Sequence, residues 1–226
     1  MIAIFVFFLP YLQTLDVQAH TNTAYAAVAA LCDLLTHPEH IAPILSQCGF
    51  ETEASPGFII TKQTHLLRCL TETFRRRATG SLIRLAAEPF TISDAQPHSD
   101  AVIAPPGFFV VARAPYSLSP ETYPSPLAFD PDRYDPSVFP YELDIVQSPS
   151  VSANAGLFAA WGFGRHACPG RFLAYRMVAN LVLAMLGGWE MEMVGEAPSW
   201  KPPGVGGIDN AQGPVMVRWR KRDVIA

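Results

Sequence analysis

Eleven of the 21 prolines in this chain of 226 residues fall between Pro89 and Pro140. Proline lacks a backbone N–H and locks φ, so no long helix can run through that stretch, and it reads as an irregular, wrapped segment. The flanks have a different texture. Residues 11–47 favour helix, because Ala24, Ala26, Ala27, Ala29 and Ala30 alternate with and precede apolar Val28, Leu31, Leu34 and Leu35. Pro38 breaks that run and opens a second short helix through Ile41, Ile44 and Leu45. A polar loop punctuated by Gly and Pro covers residues 49–57. Residues 64–77 then predict an amphipathic helix with Leu66, Leu67, Leu70 and Phe74 on one side and Glu72, Arg75 and Arg76 among them.

Beyond that helix, residues 81–87, 90–92 and 108–112 are short apolar or alternating runs between turn residues, predicting strands of a small sheet. Residues 162–170 form a second irregular loop. It feeds a helix beginning at Pro169, with Phe172, Leu173, Met177, Val178, Leu181, Val182 and Met185 at helical spacing and Gly187 and Gly188 closing it. From Trp189 to Trp219 the alternation of Met191, Met193, Val215 and Val217 predicts a hairpin whose turn region spans residues 204–210. The fold class is mostly α with a small β subdomain, an α+β arrangement.

Half of the residues are hydrophobic and 16% are charged, which is ample for a core and too little charge for a disordered polymer. The net charge of -4 gives no electrostatic case for nucleic acid as a partner. Four cysteines at 32, 48, 69 and 168 show no CxxC spacing, which argues against a disulfide scaffold or a zinc knuckle and for a reducing compartment. Residues 1–9 are uninterrupted apolar, but Pro10, Asp16 and His20 follow. The run is shorter than the roughly 20 residues a bilayer requires, and it lacks the basic flank of a signal peptide. It reads as the buried front of a helix.

The sharpest local feature runs from Trp161 to Arg171. A single cysteine, Cys168, is delivered at the mouth of a helix by a glycine-rich loop, where backbone N–H groups and the helix dipole favour thiolate over thiol. Gly162, Gly164 and Gly170 let the main chain approach something large and flat. His166, two residues before the sulfur, can hold an acidic group on the rim of such a ligand.

These residues resemble the cysteine-ligand loop of the cytochrome P450 haem-thiolate monooxygenases, most closely in wording those of filamentous fungi. That loop has an aromatic residue, glycines, a basic residue two before the cysteine and a glycine two after it. Trp161, Gly162, Gly164, His166, Cys168 and Gly170 fill those places, with Trp161 where Phe and His166 where Arg is commoner. Glu72 and Arg75, three apart on one helix face, resemble the family's ExxR pair, and residues 129–134 resemble the segment whose arginine, here Arg133, completes a buried Glu-Arg-Arg network. Taken alone, Glu72 and Arg75 would read as an ordinary exposed ion pair; their order before the cysteine loop reverses that reading. Arg84 matches a position that often gives a second propionate contact, against the plain alternative of a surface strand arginine. Residues 19–23 resemble the oxygen-activating stretch of the long central helix, with His20, Thr21 and Thr23 as candidates for proton delivery. A helical threonine more often bonds back to the preceding turn, and no acidic residue stands in this stretch.

The resemblance implies a partial cytochrome P450 fold from the central helix to the C-terminus, a single incomplete domain over residues 1–226. Its parts are a central and a following helix (1–47), the ExxR helix with a small sheet and meander (60–160), the cysteine loop and helix (161–188) and a C-terminal hairpin (189–226). It implies haem held by Cys168, O2 as co-substrate, and NADPH-derived electrons delivered by a flavoprotein reductase. The substrate class implied is a small lipophilic natural-product intermediate of fungal secondary metabolism. It also implies the surface of the endoplasmic reticulum membrane, although residues 1–12 offer no convincing anchor, which leaves a cytoplasmic location open. Two competing readings are a truncated remnant that does not hold haem, and a cysteine hydrolase pairing Cys168 with His166. The hydrolase reading conflicts with the near adjacency of the two residues and with the lack of an orienting acid. Cys32, Cys48 and Cys69 read as inert core thiols, and His37 with His40 as a pair without metal-ligand company.

Overall fold

The computed structural model describes residues 21–47, 64–77, 82–92, 102–112, 118–120, 123–135, 160–161, 168–201 and 210–222. The element order is α1 (residues 21–36), a 3-10 turn at Pro38–His40, α2 (Ile41–Gln47), α3 (Thr64–Arg77), β1 (Leu82–Leu85), β2 (Phe90–Ile92), β3 (Val102–Ala104), β4 (Phe109–Ala112), a 3-10 turn at Pro131–Tyr134, α4 (Arg171–Gly188), β5 (Trp189–Met193), β6 (Ser199–Lys201), β7 (Asn210–Gln212) and β8 (Val217–Lys221). The fold is helical with small antiparallel sheets, as the sequence pattern predicts.

The helices share one core. Ala26, Ala29, Ala30 and Leu34 of α1, Ile44 of α2, Leu66, Leu70 and Phe74 of α3, and Val178, Ala179, Val182, Leu183 and Leu186 of α4 are all buried. The small alanine face of α1 lets its backbone come close to its neighbours, while each fully buried Leu or Phe contributes about 1.5–3 kcal/mol of transfer free energy. At its C-terminal end α1 is closed by Thr36, whose hydroxyl donates to the Cys32 and Asp33 carbonyls at 2.9 and 3.0 Å. Pro38 then prevents continuation. α3 has neither Gly nor Pro and is buried from Leu66 to Arg75 apart from Arg68, so its polar residues are enclosed rather than solvated.

Each β region is a pair of nested hairpins. β1 pairs antiparallel with β4 and β2 with β3; β5 pairs with β8 and β6 with β7. β3 was not expected from the sequence, since Val102, Ile103 and Ala104 make too short a run to stand out among prolines. It is turned into β4 by Pro105-Pro106-Gly107-Phe108, where the Phe108 amide donates to the Pro105 carbonyl at 3.3 Å and Gly107 has φ +84°. Proline second and a left-handed glycine third are the requirements of a type II turn.

Other boundaries also shift. α4 starts at Arg171 rather than Pro169, and it includes Gly187 and Gly188, which were expected to lie just past its end. Asn210, expected in the turn, belongs to β7, and the returning strand begins at Val217, beyond Val215. No helix among the described residues is long and apolar enough to cross a membrane.

Candidate functional site

The geometry around Glu72 is the most closely built part of the molecule. Arg75 lies one turn on along α3, and its guanidinium forks onto the carboxylate, Nε to Oε2 and Nη2 to Oε1, both at 2.7 Å. Neither side chain has measurable exposure. Arg75 Nη2 also donates to the Pro126 carbonyl at 2.7 Å, and its guanidinium lies over the Tyr123 ring. From the other side Arg133 Nε donates to Glu72 Oε1 at 3.3 Å, and the Asp130 amide to the same oxygen at 3.2 Å. Arg133 Nη2 caps the Ser125 carbonyl at 3.0 Å, at the one non-glycine residue with positive φ (50°) among the described residues.

The sequence-predicted trio of Glu72, Arg75 and Arg133 is therefore brought together. Burial works against the Arg75 charge, but the hydrogen bonds and charge of Glu72 outweigh it and hold its pKa above the usual arginine value. A doubly paired carboxylate with no path to water is suited to fixing backbone, not to moving protons: it ties α3 to the loop of residues 123–135. Tyr134, at the end of that loop, is buried, which pushes its phenol well above the ordinary value.

Cys168 lies three positions before the first residue of α4. Its amide donates to the Trp161 carbonyl at 2.7 Å, and its carbonyl accepts from Arg171 Nη1 at 2.9 Å. The thiol is half-buried, unlike those of Cys32 and Cys69, which are enclosed. Trp161 stands edge-on to Phe74 and tilted against Tyr175, so one aromatic wedge joins the cysteine loop to α3 and α4. Gly170 has φ -83°, a value any residue adopts, and among the described residues a Cβ there would meet only Cys168 Sγ, at 3.9 Å. Neither the backbone nor a described chain segment demands glycine at 170.

Thr21 is exposed and Thr23 half-buried near the start of α1. Arg84 pairs with Val110 in the β1–β4 ladder. His20, Gly162, Gly164, His166 and Cys48 lie outside the described residues. His37 is a structural residue: its Nδ1 bonds the Asp33 carbonyl at 2.8 Å and its ring stacks against Phe129. His40 faces away from it, toward His65.

One functional-looking residue was not foreseen. Asp33 is buried on α1 and receives Arg76 Nη1 at 3.0 Å and Arg77 Nη2 at 2.7 Å. Burial lowers the Arg76 pKa, with Asp33 acting against that shift. The triple-arginine end of α3 was the available signal, since three adjacent cations next to a core need a carboxylate.

The sequence model of the family described as cytochrome P450 matches residues 17–215. Among curated proteins, a human 7-alpha-hydroxycholest-4-en-3-one 12-alpha-hydroxylase is 29% identical over 76% of this chain and 36% of its own length. A cytochrome P450 monooxygenase of Aspergillus niger is 28% identical over 73% of this chain and 33% of its own length. A third, a cytochrome P450 monooxygenase of Aspergillus lentulus, is 30% identical over 66% and 28%. The chain thus spans about a third of the length of these relatives.

Proposed function

Since this chain belongs to the cytochrome P450 family, we propose that Cys168 is the thiolate ligand of a haem iron. The chain would then supply the cysteine-ligand part of a monooxygenase that inserts one oxygen atom from O2 into a lipophilic natural-product intermediate. The observation that carries this reading is the half-buried thiol just ahead of α4, beside a glycine at which a Cβ would meet the sulfur at 3.9 Å. The donor fits the group. Cysteine sulfur is a suitable donor for haem iron, and a haem held by Cys168 would supply O2 activation for attack on unactivated carbon.

The chain's own residues take the following parts. Cys168 holds the metal through Sγ, and the Trp161 carbonyl and Arg171 guanidinium fix the main chain on either side of it. The Glu72–Arg75–Arg133 network anchors the loop of residues 123–135 to α3, and so supports the ligand loop that packs on the same helix through Trp161. His166 and Arg84 would hold the carboxylates of the haem. The hydroxyl of Thr21 or Thr23, next in sequence to His20, would supply a proton for the reaction.

Electrons come from an NADPH-dependent flavoprotein reductase, and the site of action is the surface of the endoplasmic reticulum membrane. A role in fungal secondary metabolism is part of this reading; the two Aspergillus monooxygenases and the wording of the cysteine loop support its fungal side.

The test is the absorption spectrum of the reduced, carbon-monoxide-bound chain after haem supplementation, read against Cys168→Ala. A red-shifted Soret band in the native chain that is lost in Cys168→Ala is the expected result. A band retained in Cys168→Ala overturns the ligand assignment. No band in a folded native chain supports the reading as a remnant that does not hold haem.

A further inference from the structure

We propose that His40, His65 and Cys69 form a binding site for one zinc-class divalent ion, separate from Cys168. His65 and Cys69 are four apart on α3 and share a face of it, and the 3-10 turn at Pro38–His40 brings His40 across to meet them. The ligating atoms of the three side chains all lie within 4.8 Å of one another. His40 Nδ1 and His65 Nε2 point at each other at 3.2 Å. A tetrahedral zinc ion with bonds of about 2.0–2.1 Å to nitrogen and 2.3 Å to sulfur needs ligand atoms about 3.3–3.6 Å apart. The imidazole pair is already close to that separation at 3.2 Å, and the sulfur, within 4.8 Å of the nitrogens, reaches it with a shift of up to about 1.3 Å.

The surroundings agree with a cation. His40 Nε2, the second ring nitrogen, is 3.9 Å from the Glu39 carboxylate, beyond hydrogen-bond length but close enough for its negative charge to favour a cation on the ring. Arg68, the cation on the same stretch of α3, is engaged by Asp135 at 2.9 Å and by Asp132 at 3.8 Å, which offsets its charge. One imidazole and one thiolate on a single helical face, joined by a second imidazole from a rigid turn, make a nitrogen and sulfur donor set suited to zinc rather than to magnesium or calcium. Water completes the coordination. Binding moves the proton now shared between the rings to an outer ring nitrogen by tautomer exchange, and it releases the Cys69 thiol proton to solvent.

The competing account is a hydrogen-bonded histidine pair packed on Phe129, with Cys69 as a core thiol. Titration of the full chain with Co2+ and with Zn2+ separates the two. Expected are one ion per chain and a thiolate-to-cobalt absorption band in the near ultraviolet. That band disappears in Cys69→Ser and persists in Cys168→Ser. Zn2+ affinity measured by calorimetry falls about tenfold or more in His65→Gln, whose circular dichroism matches the native chain. If Cys69→Ser does not fold, His65→Gln decides, because His65 is only half-buried at the surface of α3. The proposal is overturned by absence of binding, by a band that follows Cys168 instead, or by unchanged affinity in His65→Gln.

Discussion

Glu72, itself closed to water, accepts two hydrogen bonds from Arg75, one from Arg133 and one from the Asp130 amide. Removing the carboxylate strands the Arg75 guanidinium, so Glu72→Ala is expected to cost about 3–5 kcal/mol, read as a fall in the urea midpoint at unchanged slope. Arg75→Lys is expected to lose much of the same stability, because an ammonium cannot fork onto the carboxylate and reach the Pro126 carbonyl at once. An Arg75→Lys chain as stable as the native one contradicts this account. At this scale the spacing of Glu72 and Arg75 was legible, since residues three apart on a helix meet. That the pair sits at zero exposure was not, because the covering residues, Tyr123 and Pro126, arrive from a loop some fifty positions away.

At the scale of the element, two glycines with similar sequence surroundings have opposite roles. Gly188 ends α4 with open space around its missing Cβ and no left-handed backbone, whereas Gly195 follows β5 with φ +84°. Gly188→Ala is therefore expected to stabilise by about 0.5–1 kcal/mol through helix propensity, and Gly195→Ala to destabilise by about 1 kcal/mol through the Cβ penalty at positive φ. Thermal melts of both variants check the pair, and a shift of the same sign in each sinks it. The bounds of α3 were legible to the residue, because its apolar spacing ends in a charged cluster, and β1, β2 and β4 were found near their true places. β3 was missed. Strands that short carry no readable period, and β3 exists because β2 offers it a ladder and Gly107 turns it into β4.

Stability of the whole molecule is limited on the alkaline side by acids sealed in the core. Burial pushes the Cys32 thiol up to about 11, and burial pushes the Tyr175 phenol up to about 12. Each keeps its proton in the folded chain to a higher pH than in the unfolded chain. Between a group's ordinary value, kept in the unfolded chain, and its raised value in the folded chain, only the unfolded chain has released the proton, so stability falls as pH rises. The Tyr175 contribution is complete below about pH 10 and is lost from there toward 12, at about 1.4 kcal/mol per pH unit. Tyr175→Phe is expected to flatten the denaturation profile in that window, at the cost of about 1 kcal/mol near neutrality for the lost bond to the Thr71 hydroxyl. A profile as steep as the native one between pH 10 and 12 contradicts the assignment.

Across this molecule, the chain's local chemistry set what depends on near neighbours: the helices, and the cysteine just ahead of α4. The residue types of the Glu72, Arg75 and Arg133 trio, in their order before Cys168, were enough to point to the family. Packing across distant segments decided the rest. It turned Glu72 and Arg75 from a plausible surface pair into a sealed network, made Asp33 the counter-charge for Arg76 and Arg77, and set His40 against His65 and Cys69 rather than beside His37. Burial and cross-segment distance depend on which surfaces meet, and a one-dimensional spacing does not encode that.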